Sequence, residues 1–188
     1  MKTILVCNQK GGCGKSTLVE EICYALERDG IQFNLFDLDK QGSLTHETRE
    51  VKDAAVTIVD TPGSLQGEIR EWIEAADMII VPTLMTRKDL APLELMIEIL
   101  QPYEGKKSIL YVLNEWDRTN MTKDFMNWFN ANYPDCKTAI LARTTAIPQA
   151  DANSKSVVEF APRCAGSEQI KGIYHYIKTQ LNIREGWR

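Results

Sequence analysis

Short apolar runs alternate with helix-length amphipathic segments along almost the whole chain. The runs fall at residues 3–7, 32–36, 56–59, 78–81, 108–113 and 138–141, and each has the length of a buried strand. Helical spacing covers 16–29, where Leu18, Val19, Ile22, Cys23 and Leu26 share one face and Gly30 supplies a stop. Further helices are predicted over 90–100, 122–132 and 167–181. Asp89 is a candidate cap for the first of these, and Pro92 fits only its first turn. In the last, Ile170, Ile173, Tyr174, Ile177 and Leu181 recur at helical spacing. Strand and helix in alternation predict an α/β fold, a mostly parallel doubly wound sheet with helices on both faces. With no internal repeat or low-complexity linker, residues 1–188 read as a single domain.

In such sheets ligands bind beyond the carboxyl ends of the strands, so the residues after each apolar run carry the candidate chemistry. After the first run stand Lys10, Gly11, Gly12, Cys13, Gly14, Lys15, Ser16 and Thr17. Glycines let backbone N–H groups close around anionic oxygens, a lysine meets the outer phosphates, and a hydroxyl serves magnesium. Gly11, Gly12, Gly14, Lys15 and Ser16 supply these parts, and the helix that follows adds its positive N-terminal dipole. The usual phosphate-loop pattern has glycine where this chain has Gln9, and a second lysine, Lys10, stands beside it.

Two acidic motifs follow in order. Asp37 and Asp39 end the second run and, two apart on an extended segment, face the same side; they are followed by Lys40, Gln41, Gly42 and Ser43. Either aspartate alone would read as a turn residue. The third run delivers Asp60, then Thr61, Pro62 and Gly63. A buried carboxylate there needs a compensating cation, and hydrated magnesium would supply it. Gly63 is placed to bring a backbone N–H near a terminal phosphate.

The lysine at each end of the loop, with these motifs in this order, resembles the deviant Walker-A ATPases of the ParA/MinD family. Among them the chain is most similar to the small plasmid and chromosome partition ParA proteins. The resemblance implies ATP and Mg²⁺ as cofactors, with Lys15 on the phosphates in cis and Lys10 reaching the partner's phosphates across a nucleotide-sandwich dimer. It implies that Asp39 positions the attacking water, and that Ser16, Asp37 and Asp60 serve the magnesium. By the same resemblance Asn114, after the fifth run, contacts adenine, although an asparagine there also suits a turn. Residues 150–155 lie where the family closes over the base but lack its usual residues. Proline is usual where Lys40 stands. Only 12 residues separate Ser43 from Val56, so this is a compact version. The loop begins at residue 10, and the resemblance predicts no sequence-specific operator binding.

Composition narrows the alternatives. No apolar run approaches the roughly 20 residues of a membrane helix, and 78–81 is followed by Pro82. The N-terminal apolar stretch is too short for a signal peptide, so a cytoplasmic, nucleoid-associated location is expected. Five cysteines without a Cys-x-x-Cys pair argue against a disulfide framework or zinc ribbon; Cys13 reads as a small residue at a variable loop position, with a reactive thiol as the other option. Net charge is −4, yet residues 136–188 hold eight Lys or Arg against four Asp or Glu. That asymmetry allows a basic face. The expected function is ATP-dependent DNA partition: an ATP-dependent homodimer binds DNA nonspecifically, and a centromere-binding, ParB-like protein stimulates hydrolysis. Arg143, Lys155, Arg163 and Lys171 are the candidate DNA contacts. A MinD-like membrane ATPase would need an exposed apolar face on the last helix, and the tail 182–188 is too short to add an anchor. A ligase of the dethiobiotin or cobyrinate synthase type would share the loop but usually has a longer chain.

Overall fold

β1 (Lys2–Val6) divides its side chains between two layers. Ile4 and Val6 enter one core, Leu5 and the following Cys7 enter the other, and all four are fully buried. A strand covered on both faces carries a continuous apolar run, which is the pattern of a sheet interior. The computed structural model describes residues 1–39, 44–63 and 69–184. Within them β2 (Phe33–Asp37), β3 (Val56–Asp60), β4 (Met78–Leu84), β5 (Ser108–Trp116) and β6 (Thr138–Ala142) join β1 in one parallel sheet. The order is β2-β3-β1-β4-β5-β6. From β1 the chain goes to the edge strand β2, returns to β3 beside β1, and then crosses to β4, β5 and β6 on the other side; this switch at β1 opens a crevice above the carboxyl ends of the central strands.

α1 (Lys15–Arg28) and α7 (Ala165–Leu181) cover one face. α2 (Ile69–Ala75), α3 (Leu90–Leu100) and α4 (Asn120–Asn132) cover the other. α5 (Ala146–Asp151) and α6 (Val157–Phe160) are short connections ahead of α7. The predicted stop of α1 holds: Gly30 takes a positive φ, and Ile31 N–H and Gly30 N–H donate to Leu26 O and Glu27 O, a Schellman motif. The apolar stripe of α7 is buried against the sheet, so that helix presents no free amphipathic face of the kind a membrane contact needs.

Several boundaries differ from the sequence reading. β4 runs through Pro82 to Leu84. Its pairing with β1 ends at Val6 and Ile80, so the missing proline N–H breaks no ladder bond there. β5 continues past residue 113 to Trp116 by way of an irregularity that puts Glu115 at φ 57°. Asp89 does not cap α3. Its carboxylate is buried beside the Thr86 hydroxyl, and Thr86 instead accepts the Lys88 N–H at the start of the 3₁₀ turn. The Lys40–Ser43 part of the first acidic motif and the end of the tail, 185–188, lie outside the described residues.

Candidate functional site

The loop between β1 and α1 is held from below. Asn8, buried, donates from its amide to Pro82 O at 2.7 Å and accepts the Lys10 N–H at 3.1 Å. Thr61, also buried, donates to Val6 O at 3.0 Å, tying the loop after β3 to the end of β1. Within the loop Lys10 O accepts from both the Lys15 ammonium and the Cys13 thiol, each at 3.2 Å. The chain can make so tight a curl because Gly12 and Gly14 adopt positive φ, 72° and 97°.

A cleft of about 1080 Å³ opens above the loop. Gly11, Gly12, Gly14, Lys15, Ser16 and Thr17 form its floor, and Asp39 and Asn114 stand on its walls. Cys13 turns the other way. It is fully buried, and burial pushes its thiol pKa up, against the lowering effect of Lys15, which disfavours the thiolate a reactive cysteine needs. Gly63 lies against the loop so closely that a Cβ built on it would fall 2.9 Å from Gly11 N.

Below the loop, β2 and β3 deliver Asp37 and Asp60 in register with each other. Asp60 is fully buried, and neither of its oxygens has a hydrogen-bond partner of normal length. Burial raises its pKa to about 6; the nearby Ser16 hydroxyl lowers it, the Asp37 charge raises it, and Lys15 lowers it again. Asp37 uses one oxygen to accept the Asp39 N–H at 2.8 Å. An orphaned carboxylate beside a hydroxyl and a second carboxylate fits a hydrated Mg²⁺, which takes few protein ligands and keeps its waters. Among the described residues no group of three His, Cys, Asp or Glu could hold a metal ion outright.

Asn114 is engaged with the loop itself. Its amide nitrogen donates to Cys13 O at 3.1 Å, and its oxygen accepts the Glu115 N–H at 2.8 Å. Sequence reasoning missed the far wall of the cleft, where Arg143, Thr144, Thr145, Ile147 and Pro148 follow β6. The signal was present: these residues also succeed a strand at its carboxyl end. Arg143, a candidate DNA contact, therefore stands on the cleft rim. Arg163 is exposed, whereas Lys155 and Lys171 pair with Glu159 and Glu168 at 2.8 and 2.7 Å.

A family model for the CobQ/CobB/MinD/ParA nucleotide-binding domain matches residues 4–161, which spans every motif in the cleft. The chain belongs to this family. VirC1 of Rhizobium rhizogenes is 25% identical over 48% of this chain and 52% of its own length, so the chain spans about half the length of the curated relatives it matches. Solved structures of the same fold include an ATP complex of a Cyanothece McdA variant, with TM-score 0.77, 16% identity and coverage of 98% of this chain and 97% of that one. A plasmid partition protein from Borrelia burgdorferi superposes with TM-score 0.67 at 12% identity, covering 95% and 98% of the two chains. MinD of Pyrococcus horikoshii with Mg-ADP gives TM-score 0.70 at 15% identity, covering 97% and 98%. At these identities the likeness speaks for the fold. No helix among the described residues is long and apolar enough to cross a membrane.

Proposed function

We propose that this ParA/MinD-family chain is a Mg²⁺-dependent partition ATPase that works as an ATP-bound sandwich dimer on DNA. Two observations carry the reading: a lysine stands at each end of the loop, and an orphaned buried aspartate lies beneath it. In this reading Lys15 and the loop amides hold the phosphates in cis, and the α1 N-terminus contributes its dipole. Ser16, Asp37 and Asp60 hold the hydrated Mg²⁺, whose charge offsets that of the terminal phosphates. Asp39, on the wall beside the loop, orients the attacking water. Lys10 belongs to the opposite protomer's ligand. A cation that arrives only on dimerisation couples assembly to hydrolysis.

The DNA part of the proposal draws on the basic C-terminal third and on the likeness to the Borrelia plasmid partition protein. Arg143 and Arg163 are its better candidates, since Lys155 and Lys171 each carry an acidic partner. A ParB-like partner would stimulate hydrolysis and release. The test is co-sedimentation with plasmid DNA across a salt series, with ATP or ADP present. Retention that requires ATP and falls steeply with salt supports the proposal; retention equal in both nucleotides, or indifferent to salt, contradicts it.

A further inference from the structure

Asn114 reaches the loop from the opposite side of the cleft, at a place where only one shape fits. Gly14 begins α1 without a side-chain cap, at φ 97°. A Cβ built on Gly14 would lie 2.4 Å from Asn114 Nδ2, so the amide fills the space that any larger residue at 14 would need. From there Nδ2 donates to Cys13 O, the carbonyl of the peptide that leads into Gly14. The other end of the same side chain is fixed as well, because Oδ1 accepts the Glu115 N–H. Glu115 adopts φ 57° immediately after and also lines the cleft, but in this segment it is the Asn114 side chain that bonds to the loop. Asp117, three positions on, spends its carboxylate on Thr119 and Thr122 at the head of α4.

We propose that Asn114 is a positioning residue for the phosphate loop: it fixes the Cys13–Gly14 peptide, and so the amide end of α1. This rests on the nucleotide reading above and assigns one of its parts. The chemistry follows from the two bonds. A loop that binds anions through backbone N–H groups works only when those groups already point at the ligand, because reorienting a peptide on binding weakens affinity. The Asn114 donor ties down the Cys13 carbonyl, and with it the peptide whose N–H belongs to Gly14. A β5 side chain thereby sets the geometry of a β1–α1 loop.

The two roles separate by ligand. A base contact acts only on ligands that have a base. A loop brace acts on any polyphosphate. Binding of Mg-ATP and of Mg-tripolyphosphate is measured by calorimetry for the wild type, Asn114→Ala and Asn114→Asp. The aspartate keeps the shape and the acceptor for Glu115 N–H but removes the donor to Cys13 O. Both variants are expected to lose about fivefold to tenfold for ATP and the same factor for tripolyphosphate. Asn114→Asp should melt, without ligand, within a few degrees of the wild type. A loss confined to ATP, or no loss for either ligand, overturns the assignment. Equal losses that track a large fall in melting temperature also overturn it, since they would report general unfolding. A wild type that binds neither ligand refutes the nucleotide reading itself, a separate and recognisable outcome.

Discussion

Asp37 and Asp60 stand side by side on adjacent parallel strands, paired in register at the carboxyl end of the sheet. Two carboxylates so placed, one of them fully buried, repel each other unless a proton or a cation intervenes. The pKa of Asp60 is raised to about 6 from an ordinary value of 3.8, chiefly by burial, and the Asp37 charge adds to the rise. Its folded-state pKa lies above its unfolded one, so between those values the folded protein binds more protons. Stability from this group is therefore present at low pH and falls as pH climbs through that window, by about 3 kcal/mol at most. Asp60→Asn should remove this slope and raise the melting temperature without nucleotide at pH 7.5 by roughly 5 °C. The same variant should lose most of the extra stabilisation that Mg-ATP gives over ATP with a chelator. Thermal melts of both proteins across pH without nucleotide, with Mg-ATP, and with ATP plus a chelator check both statements.

A second pH dependence, of opposite origin, lies at His46. Its Nδ1 stands 2.5 Å from Glu20, its Nε2 stands 3.3 Å from Glu27, and the Tyr24 ring packs edge-on at 4.4 Å. Arg49 pairs with the same Glu27 at 3.1 Å. Burial alone would lower the His46 pKa, but the bonds and charges of Glu20 and Glu27 outweigh it and raise the value above 6.5. Glu20 moves the other way: burial raises it, and the contacts with His46 and Thr45 lower it further, to below 4.5. The ion pair thus contributes between those limits and is lost as pH rises through the elevated His46 pKa. It ties the stretch after the first acidic motif to α1. Melting temperature should decline from pH 6.5 toward pH 9, and His46→Gln should flatten that decline while costing about 1–2 kcal/mol at pH 6.

Gly63 packs against the phosphate loop with no room for a side chain. A methyl group on its Cα would meet Gly11 N at 2.9 Å and Gly11 Cα at 3.0 Å, both backbone atoms that cannot swing aside. Gly63→Ala must displace the loop at Lys10–Gly11. Because the loop's geometry sets phosphate affinity, the substitution should weaken Mg-ATP binding by roughly tenfold or more while leaving the sheet folded. Calorimetric titration with far-ultraviolet circular dichroism as the fold control tests this.

How much of this was visible in the chain depends on whether the cause was local. α3 occupies the predicted 90–100, and α1 and the six strands fall within a few residues of their predicted places, because continuous apolar runs and 3.6-residue spacing record burial directly. α2, α5 and α6 were not anticipated. They have seven, six and four residues, too few for a periodic face to emerge. Pro82 misled because its acceptability in β4 depends on where β1 stops, a fact about another strand. The loop and its aspartates were legible because their spacing is their chemistry. The engagement of Asn114 with Cys13 was not: it joins residues 101 positions apart, and only the fold brings them together.

The central claim is that each protomer's Lys10 completes the partner's phosphate site. Light scattering of the wild type and Lys10→Ala, each with Mg²⁺ and a nonhydrolysable ATP analogue, tests it most directly. The account predicts a wild-type mass of twice 21.3 kDa with the analogue and a monomer with ADP, while Lys10→Ala binds the analogue but stays monomeric. A wild type that remains monomeric when saturated with the analogue, or a Lys10→Ala protein that dimerises as readily, would contradict it.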